Sequence, residues 1–156
     1  KNAKEIAVNI LPHDLAHFGL VASLTNFVER INEIGTVHVS FESGGYHGLL
    51  KINEEIQLFR TVNELINNTL KYAEAKNIHI TLDQKKTKAT LFYKDDGKGF
   101  DVEKVMKSNK SGIGLDNVIQ RSRLMNGNAF IESTPGNGMT AKIFYHVDTD
   151  RLDAEL

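Results

Sequence analysis

Apolar residues recur along the chain at two spacings, and the switches between them mark out the elements. Ile6, Ile10 and Leu11 fall on one helical stripe. Pro12 then disfavours helical geometry at Leu11 and predicts a break there. A second helical pattern runs from His13 to about Ile34, with Leu20, Leu24, Phe27, Val28, Ile31 and Ile34 in register and Gly35 as its stop. Val37, Val39 and Phe41 alternate with polar neighbours, which predicts a half-buried strand. Ser43-Gly44-Gly45 reads as a turn, and Leu49 to Ile52 as a short strand. A long helix follows from near Glu54 to about Lys76-Asn77, its apolar face carrying Phe59, Val62, Ile66, Leu70 and Ala73.

Beyond that helix the spacing returns to two. Ile78, Ile80 and Leu82 predict a strand, Asp83 to Lys88 a polar turn, and Ala89, Leu91 and Tyr93 the antiparallel partner. Phe100 to Ser111 has weak periodicity and predicts a loop, with one helical turn at Val102 to Met106. Gly114 to Asn126 reads as helix. Asn128 to Ser133 and Met139 to Val147 read as strands around Thr134-Pro135-Gly136-Asn137-Gly138. Helices mixed with two hairpins predict an α+β fold, a two-layer sandwich in which a mixed sheet carries helices on one face.

One helical face carries unexpected residues. Glu64, Asn67, Asn68 and Lys71 share helical spacing opposite the apolar stripe. Asparagine is a poorer helix former than the Glu, Lys or Ala usual on a surface, and here two are adjacent. An acid, two amides and a lysine suit a hydrated cation carrying a phosphate. A solvated polar face is the competing reading of this segment alone.

The totals narrow the partners. With 19 Lys and Arg against 20 Asp and Glu, the net charge of −1 gives no support for nucleic acid or an anionic membrane as a bulk partner. The absence of cysteine excludes disulfides and thiolate metal sites. No stretch approaches the roughly 20 apolar residues of a membrane span. The 156 residues suffice for a single two-layer core.

Two glycine-rich segments bear on that polar face. Asp95-Asp96-Gly97-Lys98-Gly99-Phe100 follows a strand. Its glycines let the backbone turn sharply and approach a flat ligand, and a carboxylate at a strand end can accept from the exocyclic amine of adenine. A plain Asp-Gly turn is the alternative, and Val102 at the third glycine position excludes a dinucleotide fingerprint. Lys110-Ser111-Gly112-Ile113-Gly114-Leu115 leads into a helix, where free N–H groups and the helix dipole favour an anion. It is not a P-loop, because Gly-Lys-Ser/Thr is missing.

The three segments in this order, with lysines at 98, 104, 107 and 110 between the last two, resemble the catalytic ATP-binding domain of two-component sensor histidine kinases. That domain belongs to the gyrase, chaperone and MutL ATPase superfamily with the Bergerat fold. Glu64 to Ala73 resembles the N box, with Tyr72 where the nearest subfamily has His. Asp95 to Gly99 resembles the G1 box and Gly112 to Leu115 the G2 box. Leu11-Pro12, Phe18-Gly19-Leu20 and Ala22-Ser23-Leu24 resemble the start of this domain in kinases whose dimerisation helices carry an His-Asp box.

The resemblance implies specific roles. Asn68 would coordinate Mg²⁺, Glu64 would orient or deprotonate near the γ-phosphate, and Lys71 would contact phosphate. Asp95 would bind the adenine amine, with Gly97 and Gly99 shaping that wall. Residues 100–111 would form a lid over ATP, and the amides of Gly112, Ile113, Gly114 and Leu115 would hold phosphates. The γ-phosphate would pass to a histidine upstream of this fragment, on the dimerisation helices of a homodimer, and then to a response regulator. The expected organisation is a helical tail at 1–11, the catalytic domain at 12–147 and a charged tail at 148–156. The expected setting is cytoplasmic, without direct membrane contact by this chain. The implied alternatives are an anti-sigma-factor-type serine kinase and a non-catalytic nucleotide sensor.

Two departures qualify the match. The superfamily often has Thr or Ser directly after the last glycine of the final hairpin. Here Met139 follows Gly138, and Thr140 is expected to face the other side of the strand. His13-Asp14 is not expected to be the phosphoacceptor, since Phe18 stands where the subfamily has Gln. His13 and His17 are expected at the surface rather than on zinc.

Overall fold

The computed structural model describes residues 12–107 and 115–147, without the side chains of Pro12, His13, Asp14 and Ala16. Five strands and four α-helices make up this part of the chain. Helix α1 is Pro12–Ile34, β1 His38–Gly45, α2 Ile52–Asn68 with a π-helical turn at Thr69–Ala73, and β2 Asn77–Lys85. Then come β3 Lys88–Asp95, α3 Val102–Lys107, α4 Leu115–Leu124, β4 Gly127–Ser133 and β5 Met139–His146.

The strands form one sheet in the order β1-β2-β3-β5-β4. β1 runs parallel to β2, the two being linked by the α2 crossover, and every other pairing is antiparallel. The sheet is therefore mixed, as helices interspersed with two hairpins predict. Ile78, Ile80 and Leu82 of β2, Ala89, Leu91 and Tyr93 of β3, and Met139, Ala141, Ile143 and Tyr145 of β5 all face inward and are buried. They meet Leu58, Phe59, Val62, Leu65 and Ile66 of α2 and Leu24, Phe27 and Ile31 of α1 in one core. Burying such side chains contributes about 1.5–3 kcal/mol each. The opposite sheet face is only partly covered, leaving Phe130 exposed.

Four local readings of the sequence need correction. Ser43-Gly44-Gly45 belongs to β1, whose pairing continues past an irregularity to Gly45 opposite Asp83. Leu49 and Leu50 form no strand. They are buried plugs ahead of α2, whose start is closed by the Glu54 carboxylate accepting the Lys51 N–H at 2.8 Å. The long helix ends at Ala73 rather than near Lys76, because Glu74 takes a left-handed conformation at φ 54°. The β2–β3 turn is shorter than Asp83–Lys88, since pairing extends to Lys85 opposite Lys88. Helix α1 is also kinked, with Gly19 at φ 85° and ψ 164°.

Candidate functional site

The site begins where α2 widens. Asn68 is followed by the π-helical turn, and such single turns of looser winding recur at functional sites. Thr69 is the only buried residue of that turn, so its hydroxyl points into the protein rather than to solvent. It donates to Asp95 Oδ2 at 2.9 Å and contacts the Tyr93 hydroxyl. The Tyr93 hydroxyl also lies 3.1 Å from the Leu65 carbonyl. Burial, with a smaller contribution from the Asp95 charge, pushes the Tyr93 phenol well above its ordinary range, against the Thr69 hydrogen bond. The phenol therefore stays a proton donor at any physiological pH. Strand β3 and helix α2 are thus joined by a hydrogen-bonded chain that ends on Asp95.

Asp95 is 2% exposed, an unusual burial for a carboxylate, and burial of this kind demands partners. Besides Thr69, the Gly97 N–H donates to its Oδ1 at 2.9 Å. Asp96 points the other way, as strand alternation requires. Its Oδ1 accepts from the backbone N–H groups of Lys76 and Asn77 at 2.8 and 2.9 Å, and Oδ2 accepts from Asn77 Nδ2 at 2.9 Å. Those bonds, the Asn77 side chain first, hold the Asp96 carboxyl below its ordinary range. The two neighbouring acids have separate tasks: one closes a cavity wall, the other ties down the loop before β2.

Both glycines of this turn are required by close approach. A Cβ on Gly97 would stand 2.5 Å from the Ala73 carbonyl oxygen, and the Lys98 N–H bonds that same oxygen at 2.8 Å. Gly99 has φ +69°, and a Cβ there would stand 2.1 Å from the Thr134 carbonyl oxygen. The helix end, the Asp95–Gly99 turn and the β4–β5 hairpin therefore converge without intervening side chains.

Between them lies a cavity of about 510 Å³, whose lining includes Asn68, Thr69, Lys71, Tyr72, Asp95, Gly99, Phe100, Leu115 and Met139. Such a volume accommodates a ligand of drug or nucleotide size. A second groove of about 320 Å³ is lined by Arg60, Asn63, Glu64, Asn67, Asn68, Lys71 and Arg121. Asn68 and Lys71 line both. The first space is largely apolar with one buried acid, and the second is polar and charged.

The residues singled out from the sequence fall into three groups. Asn68, Lys71, Asp95, Gly99 and Leu115 line the larger cavity. Gly97 stands behind its wall, and Glu64 lies in the adjoining groove with its Oε1 3.0 Å from Arg121 Nη1. Gly112, Ile113 and Gly114 lie outside the described residues, as do the tails at 1–11 and 148–156. Thr140 lines a different depression with Ser133 and Val102, facing away from the cavity as strand alternation requires. Met139 sits directly opposite Asp95 across the β3–β5 pairing.

Thr69, Met139 and Arg121 are lining residues to which the sequence assigns no role. Thr69 carries no pattern that separates it from an ordinary helical threonine. Met139 could have been placed by carrying the β5 alternation back from Ile143 through Ala141. Arg121 gives no local signal, because its partner lies 57 positions away.

No group of three or more His, Cys, Asp or Glu side chains suited to a metal occurs among the described residues. The oxygen donors lining the groove are the Glu64 carboxylate and the amides of Asn63, Asn67 and Asn68. They fit Mg²⁺ held by few protein ligands together with phosphate oxygens and water. Among the described residues no helix is long and apolar enough to cross a membrane.

Residues 53–149 match the family described as histidine kinase-, DNA gyrase B- and HSP90-like ATPase. Sensor histidine kinase ComP of Bacillus subtilis (strain 168) is 31% identical over 140 residues, which are 90% of this chain and 18% of ComP. The signal transduction histidine-protein kinase/phosphatase DegS of Brevibacillus brevis is 32% identical over 136 residues, covering 87% of this chain and 34% of DegS. The chain thus spans about a third or less of these curated relatives. Among solved structures, the histidine kinase domain of the Erythrobacter litoralis EL346 blue-light activated histidine kinase superposes with a TM-score of 0.69 at 17% identity. That match covers 86% of this chain and 69% of the other, and it shows a shared fold.

Proposed function

The chain belongs to the histidine kinase-, DNA gyrase B- and HSP90-like ATPase family, and from that premise we propose that it is the catalytic ATP-binding domain of a sensor histidine kinase. The proposed domain occupies residues 12–147. Its product is a phosphohistidine on a helix that precedes the domain in the full-length homodimer, and the phosphate then passes to a response regulator. The proposed setting is the cytoplasm. One observation carries this reading: Asn68 and Asp95, from different elements, open onto one cavity with Lys71 between the cavity and the charged groove.

Adenine occupies the largely apolar end. Its exocyclic amine donates to Asp95, whose acceptor position is fixed beforehand by Thr69 and Gly97. Guanine presents a carbonyl at that place and is repelled. Met139 and Phe100 supply apolar wall around the base. Lys71 and the amides at Gly112 to Leu115 receive the phosphates. The Asn68 amide oxygen would hold Mg²⁺, which would supply charge neutralisation at the phosphates. Glu64 orients the reacting end from the adjoining groove. Phosphoryl transfer asks mainly for positioning and electrostatics, and this chain supplies both without a covalent intermediate.

The test uses the full-length protein and ATP labelled at the γ-phosphate. Wild type is expected to acquire label that survives base, as phosphohistidine does, and Asn68→Ala to acquire none. The isolated chain is expected to bind nucleotide without labelling itself. A wild-type label that base removes is not phosphohistidine and would reject the histidine assignment.

A further inference from the structure

Glu64 is fixed from outside its own helix. Arg121 of α4 sends one hydrogen of Nη1 to Glu64 Oε1 at 3.0 Å and the other to Thr61 Oγ1 at 3.2 Å. Thr61 is 1% exposed, and its own hydroxyl proton goes to the Gln57 carbonyl at 3.0 Å. It can therefore only accept from Arg121. Tyr145 of β5 stands behind this group. Burial pushes its phenol up to about 12, against the Arg121 charge and the Thr61 side chain.

The pair itself is a poor stabiliser. Its two side chains are 24% and 26% exposed, a setting in which ion pairs add little to folding. What it does fix is geometry. A free glutamate side chain samples many rotamers, and the planar guanidinium, anchored on Thr61, selects one. The carboxylate is held on the wall of the groove that Asn68 and Lys71 share with the main cavity. Among the described residues only Oε1 is engaged, which leaves Oε2 facing the groove. A lysine could not serve both acceptors from one planar nitrogen.

We infer that Arg121 is a positioning residue that sets the Glu64 carboxylate at the phosphate end of the site and so acts on the transfer step rather than on nucleotide binding. The inference rests on the kinase reading above.

The test compares Arg121→Ala, Arg121→Met, Arg121→Lys, Glu64→Gln and the double variant Arg121→Met/Glu64→Gln in the full-length protein. The readouts are autophosphorylation kcat and KM for ATP, the ADP dissociation constant and the thermal midpoint. Met keeps the aliphatic stem against α2 while removing every donor, so it serves if Ala fails to fold. The expected result is a loss of about a hundredfold in kcat for Arg121→Met, the scale set by a small misplacement of a reacting group. KM and ADP affinity are expected to change less than about threefold, on the scale of uniform-binding effects. The double variant is expected to be no slower than the worse single one, because the two residues act as a unit. Lys is expected to recover part of the rate. Multiplying effects in the double variant, or loss of ADP binding in parallel with kcat, would overturn the inference while leaving the kinase reading intact. A wild type that neither binds ADP nor forms phosphohistidine would overturn both.

Discussion

The Thr69 hydroxyl is the smallest group on which the proposed site depends. It joins a buried phenol to a buried carboxylate, and nothing else described reaches Asp95 Oδ2. Thr69→Val keeps the shape and removes the donor. It is expected to cost about 1–3 kcal/mol in chemical denaturation, the penalty of a buried acceptor left unsatisfied. It is also expected to weaken ADP binding, because the Asp95 carboxylate loses its fixed orientation. Asp96 makes a different prediction. Its folded pKa is depressed by the Asn77 and Lys76 bonds. Its stabilisation is therefore fully present above the ordinary carboxylate value and is lost as pH falls through the lower, folded value. A denaturation series from pH 6 downward is expected to show a shallower acid decline for Asp96→Asn than for wild type, starting at about pH 4. An identical slope in the two proteins would assign the acid sensitivity elsewhere.

At the scale of elements, the docking of the α2 end onto the Asp95–Gly99 turn sets the width of the cavity. Gly97→Ala would force its Cβ to within 2.5 Å of the Ala73 carbonyl. Overpacking of this kind costs about 1–3 kcal/mol. Reduced ADP affinity is expected with it, although residue 97 does not line the cavity, and titration calorimetry reads this directly. The same region shows how much the sequence disclosed. The strands were legible because one face is buried and the other is not, so buried apolar residues fall at every second position in Ile78, Ile80 and Leu82, in Ala89, Leu91 and Tyr93, and in Met139, Ala141, Ile143 and Tyr145. The polar stripe of α2 was legible for the same reason, with a period of helical spacing. The π-helical turn was not, since Thr69-Leu70-Lys71 reads equally well as continued α-helix. Its Thr69 bonds Tyr93 and Asp95, contacts that exist only in the folded chain. Leu49-Leu50 was misread as strand because a short apolar run looks alike whether it pairs or plugs a core. Arg121 escaped for want of any local mark, as its role exists only once α2 and α4 are brought together.

For the whole molecule, ligand binding and folding are one equilibrium. The larger cavity draws on α2, the β3 end, α4 and the β5 start, so an occupant bridges elements from both halves of the sequence. At a concentration of ADP and Mg²⁺ about 100 times the dissociation constant, the folded state is expected to gain about 2.7 kcal/mol. For a domain of this size that corresponds to a rise of roughly 5–11 °C in the thermal midpoint. GDP at equal concentration is expected to give a clearly smaller rise, because Asp95 accepts from the adenine amine and repels the guanine carbonyl. Equal shifts would remove Asp95 from base recognition.

The most direct measurement is titration calorimetry of the chain with ADP and Mg²⁺, comparing wild type with Asp95→Asn. An asparagine must turn its amide nitrogen toward either Thr69 or Gly97, both of which donate hydrogens, so the wall loses its arrangement. The account predicts saturable one-site binding with a dissociation constant below about 1 mM for wild type. It predicts a loss of about tenfold or more for the variant, equivalent to about 1.4 kcal/mol. Wild-type protein that takes up no ADP at millimolar concentration, or a variant that binds as tightly as wild type, would contradict it.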